Sequence, residues 1–583
     1  MIKPVVCIIS DLGLPLVSLN GVEVHILSIN ATLQDVKLVG ADVYVSLGND
    51  WEKFPFVNLP YHEKFKWIHL NEIEHLSENA IFNCYFSSMY NKEVKKISIF
   101  TPAYNSGDKI LRPLNSLLSQ TYQNWEWIIW DDSDNGSLTL GIHDDRIKIY
   151  RAQEHCGIIG KVKKLAASCC TGDYLLELDH DDELTPDALE KVVDTFERYP
   201  EVGFVYSDFC ELYEDGTPFG YGDFFSFGYG SYYAKKYKDK ICWVANSSRI
   251  NSKTLSHIVG VPNHLRCWRR DIYHQMGGHN EHLHVADDYE LILRTFLHTK
   301  MCRIPHMLYL QYRNVDGNTT QTRNGEIQKF VSWIQYLFKD RIDKRVVELG
   351  GTVFIDEVPQ IWTTETPVLH EELNLVNTQW SPKVSIIIPT YKRPKDLKMA
   401  INSALLQSYQ DFEIIVIGDN CPDMDDVMMK IDSPKVKWWN LSQNKGSVGS
   451  WSRNYAIKMI SNSDIITYLD DDNMWLPNHL NSLFTTLNDS DSMYSFSSFV
   501  VDGKSIICNE PVKYRVDTSS IMHKKSLMYK YGWWRDSSIV GYATDWDMVS
   551  RWKDEKWIAT ELPTLCYNTE YNSQTYESIK NAV

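Results

Sequence analysis

The chain has 583 residues and a formal charge of −17, with 43% hydrophobic and 23% charged residues. This length exceeds a single core, so we expect at least two domains. No Lys/Arg cluster stands out that could displace the counterions of a nucleic acid, which excludes that class of partner. The 12 Cys residues include no C-x-x-C pair, and neither a secretion signal nor an apolar run of about 18 residues is present. We therefore predict reduced thiols, a cytoplasmic protein and no transmembrane helix.

The first 93 residues differ in pattern from the rest of the chain. They contain the apolar runs "VVCIIS", "ADVYVSLGND" and "FKWIHLNE". Such short runs, bounded by turn residues, are typical of parallel strands. We predict a small α/β accessory region over 1–93.

Two long stretches that follow are copies of each other. "KISIFTPAYNSGDKILRPLNSLLSQTYQNWEWIIWDDSDNGS" begins at Lys96, and "KVSIIIPTYKRPKDLKMAINSALLQSYQDFEIIVIGDNCPD" begins 287 residues further on. They align without a gap, so that Pro102 falls on Pro389 and Asp132 on Asp419. Self-similarity over this length indicates a duplicated domain.

Each copy has the pattern of a strand, a loop, a helix and a second strand. In copy one, "ISIFTPAYN" is rich in β-forming residues, and Asp108 to Gln120 has helical spacing. That spacing would place Leu111, Leu114, Leu117 and Leu118 on one helix face. "WEWIIWDD" is a continuous apolar run that ends in carboxylates, as expected for a parallel strand buried on both faces.

The remaining segments complete the predicted domain order. "IQKFVSWIQYLFKDRI" has helical spacing, and 351–381 is irregular. The predicted domains after the accessory region are a first repeat domain, a helical segment with a linker, and a second repeat domain, at 94–324, 325–381 and 382–583. The basic stretch "YYAKKYKDK" at 232–240 is interpreted as a solvated loop, with a peripheral membrane contact as the alternative.

Acidic strand ends occur in both copies. "YLLELDHDDELTPDALE" and "IITYLDDDNMWLPNHLN" each pass from an apolar run into three carboxylates within four residues. Ligands of parallel sheets lie at the carboxyl ends of the strands. Crowded carboxylates repel one another unless a hard divalent cation lies among them, and Mg²⁺ or Mn²⁺ prefers such oxygens. The duplication favours this interpretation over a solvated acidic loop.

The order of these motifs is similar to that of a known enzyme family. "P-A-Y-N … Q-T-Y … DDS-D … L-D-H-D-D … YSD … GG … DDYEL" resembles the inverting nucleotide-sugar glycosyltransferases of family 2, which have the GT-A fold. The resemblance covers roughly 96–320 and 383–583. The resemblance implies an α/β chain with two tandem GT-A domains, each a Rossmann-like, mostly parallel sheet. The pairing of two modules also resembles bifunctional polysaccharide synthases.

The resemblance implies a set of donor-binding residues in each copy. The loop after the first strand would border the nucleobase and ribose, and the Asp after the second strand would accept a base N–H. The D-x-D pair would contact the ribose or metal-bound water with its first Asp and Mn²⁺ or Mg²⁺ with its second. These residues are Pro102, Tyr104, Asp132, Asp179 and the metal ligand Asp181 in copy one, and Pro389, Tyr391, Asp419, Arg453, Asp470 and the metal ligand Asp472 in copy two.

Inversion at an anomeric carbon requires a base on the acceptor hydroxyl. In the family this base is the Asp of a Glu-Asp pair at the start of a late helix, which implies Asp288 in "VADDYELILR" and Asp545 in "YATDWDMVSRW". Asp287 and Thr544 stand where the family often has Glu. A helix N-cap is the alternative interpretation of either Asp.

Copy one and copy two depart from the family in different ways. Copy two has "NKGSVGSWSRN", close to the family pattern, whereas copy one has His155 in place of Asn and Lys163–Lys164 near the Arg-Asn position. The family His after Tyr-Arg is absent from "QYRNVDGNTT" and "CYNTEYNSQT". His282, His284 and His306 are interpreted as surface or core residues.

Three functional hypotheses follow. The first is a glycosyltransferase with two active sites, each using a nucleotide-sugar donor and extending a glycan or lipid-linked oligosaccharide. The second has one active module and one degenerate module that holds the acceptor. The third is a carbohydrate-binding protein without turnover. Any membrane contact would be peripheral, at the inner face.

Overall fold

The computed structural model describes residues 3–12, 19–50, 53–59, 66–72, 75–90, 95–134, 138–221, 231–247, 250, 254–255, 262–350, 353, 382–501, 504–513 and 515–567. The predicted linker over 351–381, apart from residue 353, and the motif after Tyr567 lie outside these residues. Within the described part, no helix combines the length and apolar character needed to cross a membrane.

The N-terminal region is a separate parallel sheet with two helices. Its strand order is β2-β1-β3-β4. Side chains of β1 alternate between two small cores, one on each side of the sheet: Val6 and Ile8 lie in one, and Cys7 and Ile9 lie in the other. The prediction of short parallel strands is confirmed, and β2 is an additional strand. The elements are β1 Val5–Ser10, β2 Glu23–Leu27, α1 Leu33–Val39, β3 Val43–Leu47, a 3₁₀ turn Pro55–Asn58, β4 Trp67–Leu70 and α2 Glu78–Tyr90.

The first repeat, here called module one, runs from β5 to the long helix α9. Its strands are β5 Ile97–Ala103, β6 Trp125–Asp131, β7 Ile147–Arg151, β8 Tyr174–Glu177, β9 Glu183–Leu184, β10 Val202–Tyr213, β11 Pro218–Phe219, β12 Ser231–Tyr237, β13 Lys240–Asn246, β14 Arg266–Arg269 and β15 Lys300–Arg313. Its helices are a 3₁₀ turn Gly107–Ile110, α3 Leu111–Leu118, α4 Ile159–Ser168, α5 Ala188–Arg198, α6 Arg270–Gln275, α7 Asp287–His298, α8 Thr319–Thr322 and α9 Asn324–Glu348.

The strands of module one that lead into the acidic motifs are parallel. β7, β6, β5 and β8 are parallel neighbours in that order. β14 is antiparallel to both β8 and β10, and β10 is parallel to β15. β5 and β8 are fully buried, as their continuous apolar runs predict. The carboxyl ends of β5, β6 and β8 therefore meet at one edge.

The second repeat, here called module two, contains the remaining elements. Its strands are β16 Val384–Thr390, β17 Phe412–Gly418, β18 Val436–Asn440, β19 Ile465–Tyr468, β20 Met474–Trp475, β21 Tyr494–Val501, β22 Lys504–Ile506, β23 Ile521–Lys524 and β24 Trp557–Cys566. Its helices are α10 Pro394–Leu405, α11 Met424–Met428, a 3₁₀ turn Ser447–Gly449, α12 Ser450–Tyr455 with a π turn Ala456–Ile460, α13 His479–Asn488, a 3₁₀ turn Thr518–Ser520, α14 Ser526–Tyr531, α15 Ser537–Val540 and α16 Thr544–Arg551.

Module two repeats the arrangement of the central strands of module one. β18, β17, β16 and β19 are parallel neighbours. β23 is antiparallel to β19 and β21, and β21 is parallel to β24. The predicted α/β class, with a duplicated sheet of mostly parallel centre and a small N-terminal α/β region, is confirmed.

Two helices show where periodicity was informative and where it was not. α3 buries Leu114 and Leu117, but Leu111 and Leu118 are exposed, so the predicted four-Leu face is only half buried. α9 matches the predicted helix at 325–350 and packs Val331, among other residues, into the core of module one. The exact domain boundaries stay predictions.

The basic stretch at 232–240 is not a loop, contrary to our interpretation. It forms β12 and the start of β13, which pair in register as a hairpin. β12 also pairs with the edge strand β18 of module two, where Ala234 faces Trp438. Tyr233 and Ala234 are buried there, in a core cluster that contains residues of both modules. The alternating apolar residues and the neighbouring sheet edge favour a strand here despite the lysines.

Candidate active sites

The strand ends of both modules hold an Asp that fixes the next loop in the same way. Asp132 follows β6, and its two carboxylate oxygens accept the backbone N–H groups of Cys156 and Gly157 at 2.9 and 3.1 Å. Asp419 follows β17 and accepts those of Lys445 and Gly446, both at 2.7 Å. Both carboxylates therefore organise the loop after the third strand of their module.

The residue that differs from the family pattern in module one keeps the role of its counterpart. His155 Nδ1 donates to the backbone oxygen of Asp132 at 2.8 Å, and Asn444 Nδ2 donates to that of Asp419 at 3.0 Å. The hydrogen bond to this oxygen, with the nearby Asp carboxylates, raises the pKa of His155. The departure at His155 therefore preserves the loop geometry and adds a titratable ring.

The predicted nucleobase-binding loops follow β5 and β16. Pro102 and Pro389 lie in the last residues of these strands, and the rings of Tyr104 and Tyr391 are each 44% exposed. Tyr104 Oη donates to Asp134 at 2.6 Å. Both tyrosines thus present an accessible face at the edge of their sheet.

The acidic motif of module one gathers two carboxylates and a histidine. Ligand atoms of Asp179, Asp182 and His264 lie within 4.8 Å of one another. Asp182 accepts Tyr309 Oη and the Tyr312 N–H, both at 2.8 Å. Burial, reinforced by neighbouring carboxylates, raises the pKa of Asp179 to about 7. Such crowding of buried carboxylates fits a divalent cation.

The predicted metal ligand Asp181 lies beside this cluster. Its carboxylate accepts the side-chain amides of Asn314 and Asn318, and its backbone oxygen accepts Arg112 at 3.0 Å. The local pattern around His264 does not predict this contact, because the antiparallel pairing of β14 with β8 brings His264 to Asp179.

The acidic motif of module two is paired with arginines. Arg453 Nη2 lies 2.5 Å from Asp470 Oδ1. Arg393 Nη1 lies 2.9 Å from Asp471 Oδ1 and 2.6 Å from Asp472 Oδ2. Burial raises the pKa of Asp471 to about 6. Sequence reasoning predicted Arg453 but missed Arg393, which is separated from the motif along the chain.

The two predicted bases begin equivalent helices, and neither is an N-cap. The caps of α7 and α16 are Ala286 and Ala543. Asp288 lies 2.9 Å from Arg266 Nη2. Burial opposes ionisation of Asp288, but Arg266 and Lys163 outweigh it and hold its pKa below the ordinary value.

Asp545 has different surroundings. Burial raises its pKa, the Trp546 N–H and Arg453 oppose this, and Asp470 adds to it. Asp517, which sequence reasoning missed, lies near both Asp470 and Asp545, and burial raises its pKa to about 8. Module two therefore holds three interacting carboxyl groups around Arg453.

Three neighbouring carboxylates of these two helices are held in ion pairs. Asp287 lies 3.1 Å from Lys163, Glu290 lies 2.6 Å from Arg294, and Asp547 lies 3.2 Å from Arg551. Lys163 is itself buried, and its ammonium group also lies 2.8 Å from Glu177.

The three histidines interpreted as structural lie as follows. His282 is exposed, with 85% of its side chain accessible, and His284 lies 2.7 Å from Glu326 on α9. Burial holds the pKa of His306 well below its ordinary value. None of the three belongs to the Asp179, Asp182 and His264 cluster.

Several known proteins are similar to this chain in sequence. An uncharacterized glycosyltransferase of Rickettsia conorii is 23% identical over 419 residues, which are 69% of this chain and 65% of the relative. The O-antigen biosynthesis protein RfbC of Myxococcus xanthus is 25% identical over 64% of this chain and 27% of its own. Chondroitin synthase of Escherichia coli is 27% identical over 41% of this chain and 32% of its own. The chain spans less than two thirds of each of these relatives.

A solved structure and a family model complete the comparison. The crystal structure of S. aureus TarS 1–349 is 16% identical with a TM-score of 0.30, and the match covers 43% of this chain and 72% of TarS 1–349. The family described as "Glycosyl transferase family 2" matches 98–255 and 385–533, just over half of the chain. Because this family model matches more than half of the chain, the chain belongs to glycosyl transferase family 2, with the two matched regions in its two tandem GT-A domains.

Proposed function

We propose that the protein is a bifunctional, inverting glycosyltransferase in which each module transfers a sugar from its own nucleotide-sugar donor to a growing glycan. One observation carries the proposal: the two modules place the same acidic groups at the same positions. Asp132 and Asp419 organise equivalent loops. Asp288 and Asp545 begin equivalent late helices. A module that had become inert would not be expected to keep both groups.

The donor would bind at the carboxyl edge of each sheet. Tyr104 or Tyr391 would border the nucleobase, and Asp132 or Asp419 would set the loop that covers it. Asp179 and Asp470 would face the ribose and diphosphate. The groups that would hold a cation in module one are Asp179, Asp182 and His264, with Asp181 alongside. When bound there, Mg²⁺ or Mn²⁺ would neutralise charge on the departing diphosphate.

Asp288 and Asp545 would act as general bases. Each carboxylate would accept the proton of the acceptor hydroxyl as that oxygen attacks the anomeric carbon, opposite the departing nucleotide. The Arg266 pair keeps Asp288 ionised. The backbone N–H of the following residue, at 2.7 Å from each carboxylate, holds the side chain in place.

The acceptor would be a glycan or a lipid-linked oligosaccharide. Relatives that are named for O-antigen biosynthesis and chondroitin synthesis support this class of acceptor. We place the reaction in the cytoplasm, with at most peripheral contact at the inner face of a membrane. The alternative is a protein with one active module and one module that holds the acceptor. The acidic motifs of the two modules have different partners, which favours this alternative over a protein without turnover.

A donor screen tests the proposal. Hydrolysis of UDP-, GDP- and dTDP-sugars with Mn²⁺ should identify the donors, and calorimetry with the matching nucleotide should give two sites per chain. One site would support the alternative. A chain that binds none of these nucleotides and hydrolyses none of these donors would contradict the proposal.

A further inference from the structure

The acidic motif of module two has its negative charge compensated within the protein. Arg393 bridges Asp471 and Asp472 through one nitrogen, and Arg453 pairs with Asp470. Thr390 Oγ1 donates to the second oxygen of Asp471 at 2.8 Å. A divalent cation at this motif would have to displace guanidinium groups from the carboxylates.

Module one lacks direct ion pairs of this kind, although Lys163 and Arg266 act on Asp179 from farther away. Among the described residues, no Lys or Arg nitrogen lies within 4.0 Å of a carboxylate oxygen of Asp179, Asp181 or Asp182. Arg112 reaches the motif, but it donates to the backbone oxygen of Asp181 and pairs with Glu214 at 3.0 Å. A cation at these carboxylates would therefore not have to displace a Lys or Arg side chain.

The ligand set itself also differs between the modules. The pairing of Tyr174 with Arg269 in module one corresponds to that of Ile465 with Lys524 in module two. His264 precedes Arg269 by the same number of residues as Ser519 precedes Lys524, so Ser519 is the counterpart of His264.

The acidic motifs align so that Asn473 is the counterpart of Asp182. Asn473 Nδ2 donates to Ser519 Oγ at 2.9 Å, and the Asp470 N–H donates to the same oxygen at 3.0 Å. Two of the three ligating groups in module one are thus replaced by neutral groups that hydrogen-bond each other. Of these three positions in module two, only Asp470 keeps a carboxylate.

We propose that module two binds the diphosphate of its donor without a divalent cation, and that Arg393 and Arg453 supply the positive charge. The inference rests on the proposed function, because it requires a nucleotide-sugar donor in module two. It replaces the prediction of Asp472 as a metal ligand. Module one would remain cation-dependent, so the two active sites would differ in their cofactor.

The two arginines are placed for different parts of this task. Arg453 is 3% exposed and is held by the Val448 carbonyl at 2.8 Å and by the face of Trp534 at 4.7 Å. Arg393 is half exposed and directly precedes α10. An arginine at this edge can turn its fork of N–H groups from the carboxylates to a diphosphate. Arg453 would fix Asp470, and Arg393 would contact the phosphates.

Calorimetry on full-length chains with one silenced module tests the inference. Asp179→Asn leaves module two as the donor site, and Asp470→Asn leaves module one. The probe is whichever of UDP, GDP or dTDP the wild type binds. For the Asp179→Asn chain, the Kd in EDTA should lie within about threefold of the Kd in Mn²⁺, whereas the Asp470→Asn chain should lose binding in EDTA by about tenfold or more.

Arg393 variants assign the effect to this residue. In the Asp179→Asn background, Arg393→Gln should weaken nucleotide binding in EDTA by about tenfold or more, and Arg393→Lys should restore part of it. Lys395→Gln is the matched control, since it removes an exposed charge near Arg393 and should leave the Kd unchanged. Thermal unfolding of each variant checks that the fold is retained.

Each outcome decides the question. Loss of binding by the Asp179→Asn chain in EDTA, with normal binding in Mn²⁺, would overturn the inference and leave the proposed function intact. An Arg393→Gln chain that is folded and still binds in EDTA would overturn the role of Arg393. A wild-type chain that binds no nucleotide in either condition would overturn the proposed function and the inference together.

Discussion

Asp288 and Asp545 hold the same position in their modules but interact with different charges. Asp288 is paired with Arg266 at 2.9 Å, whereas Asp545 lies among Asp470, Asp517 and Arg453. The proposed role is the same in both: a carboxylate that takes one proton from an acceptor hydroxyl. Replacement by Asn removes the proton acceptor and keeps the size of the side chain.

We predict that Asp288→Asn and Asp545→Asn lower kcat at their own module by about 10²–10⁴-fold. Donor Kd and melting temperature should stay near the wild-type values, because the Asn oxygen can still accept the N–H of Tyr289 or Trp546. Single-turnover transfer, calorimetry and thermal unfolding measure the three quantities. Near-normal transfer by both variants would contradict the base assignment.

The pH dependence of the two transfers should differ in a defined direction. A general base works only when it is deprotonated, so transfer is lost as the pH falls below the pKa of the base. The pKa of Asp288 is lowered and that of Asp545 is raised. The acid limb of kcat/KM should therefore lie at higher pH for module two than for module one. Profiles recorded with one module silenced at a time measure the limbs, and the reverse order would contradict the prediction.

At the scale of elements, β10 and β15 of module one are joined through a buried charge. Arg303 on β15 donates to Asp208 on β10 at 2.7 and 3.0 Å. Its other Nη group reaches Asn462 of module two at 3.2 Å. Because both charged groups are buried, water could not take the place of a partner that is removed.

We predict that Arg303→Ala destabilises the chain by about 3–5 kcal/mol, since it leaves the Asp208 carboxylate uncompensated. The shift of the first urea unfolding transition measures the effect. Lys339→Ala removes an exposed i,i+4 pair with Asp343 and should cost less than about 0.5 kcal/mol. Equal effects of the two substitutions would contradict a structural role for the buried pair.

The sequence predicted what depends on local pattern. The apolar runs of β5, β6 and β16, and the position of Asp132 and Asp419 after strands, followed from periodicity and the repeat. Pairing between distant strands could not be predicted, and it brings His264 to Asp179. The same limit applies to Arg393, whose distance to Asp472 depends on how the loop after β16 folds back.

At the stretch 232–240, contacts with the rest of the protein decide the local structure, and the composition of the stretch does not. The lysines of 232–240 indicated a solvated loop, but Tyr233 and Ala234 are buried against module two. The hydrophobic gain from an edge strand that is covered by a neighbouring sheet exceeds the cost of its lysines, although burial lowers the pKa of Lys235 to about 8. No feature of the stretch itself identified that neighbour.

At the scale of the whole molecule, the two modules share one core. Residues of β10, β12, β13 and β15 belong to the same buried cluster as β16, β17 and β18. Lys437 of module two lies 4.7 Å from the ring of Tyr233 of module one. Separating the modules would expose this surface, so their independence is better tested by substitutions in the intact chain.

We predict that chains carrying Asp288→Asn or Asp545→Asn each add at most one sugar to an acceptor, and that a mixture of the two restores successive additions. The reason is that each chain keeps one complete set of donor and base groups while the shared core holds both modules folded. Product length measured by mass spectrometry after incubation with both donors is the readout, and the double variant is the control. If either single variant abolishes both transfers while it still binds both nucleotides, catalysis is coupled through the shared core, and the model of two independent sites is wrong.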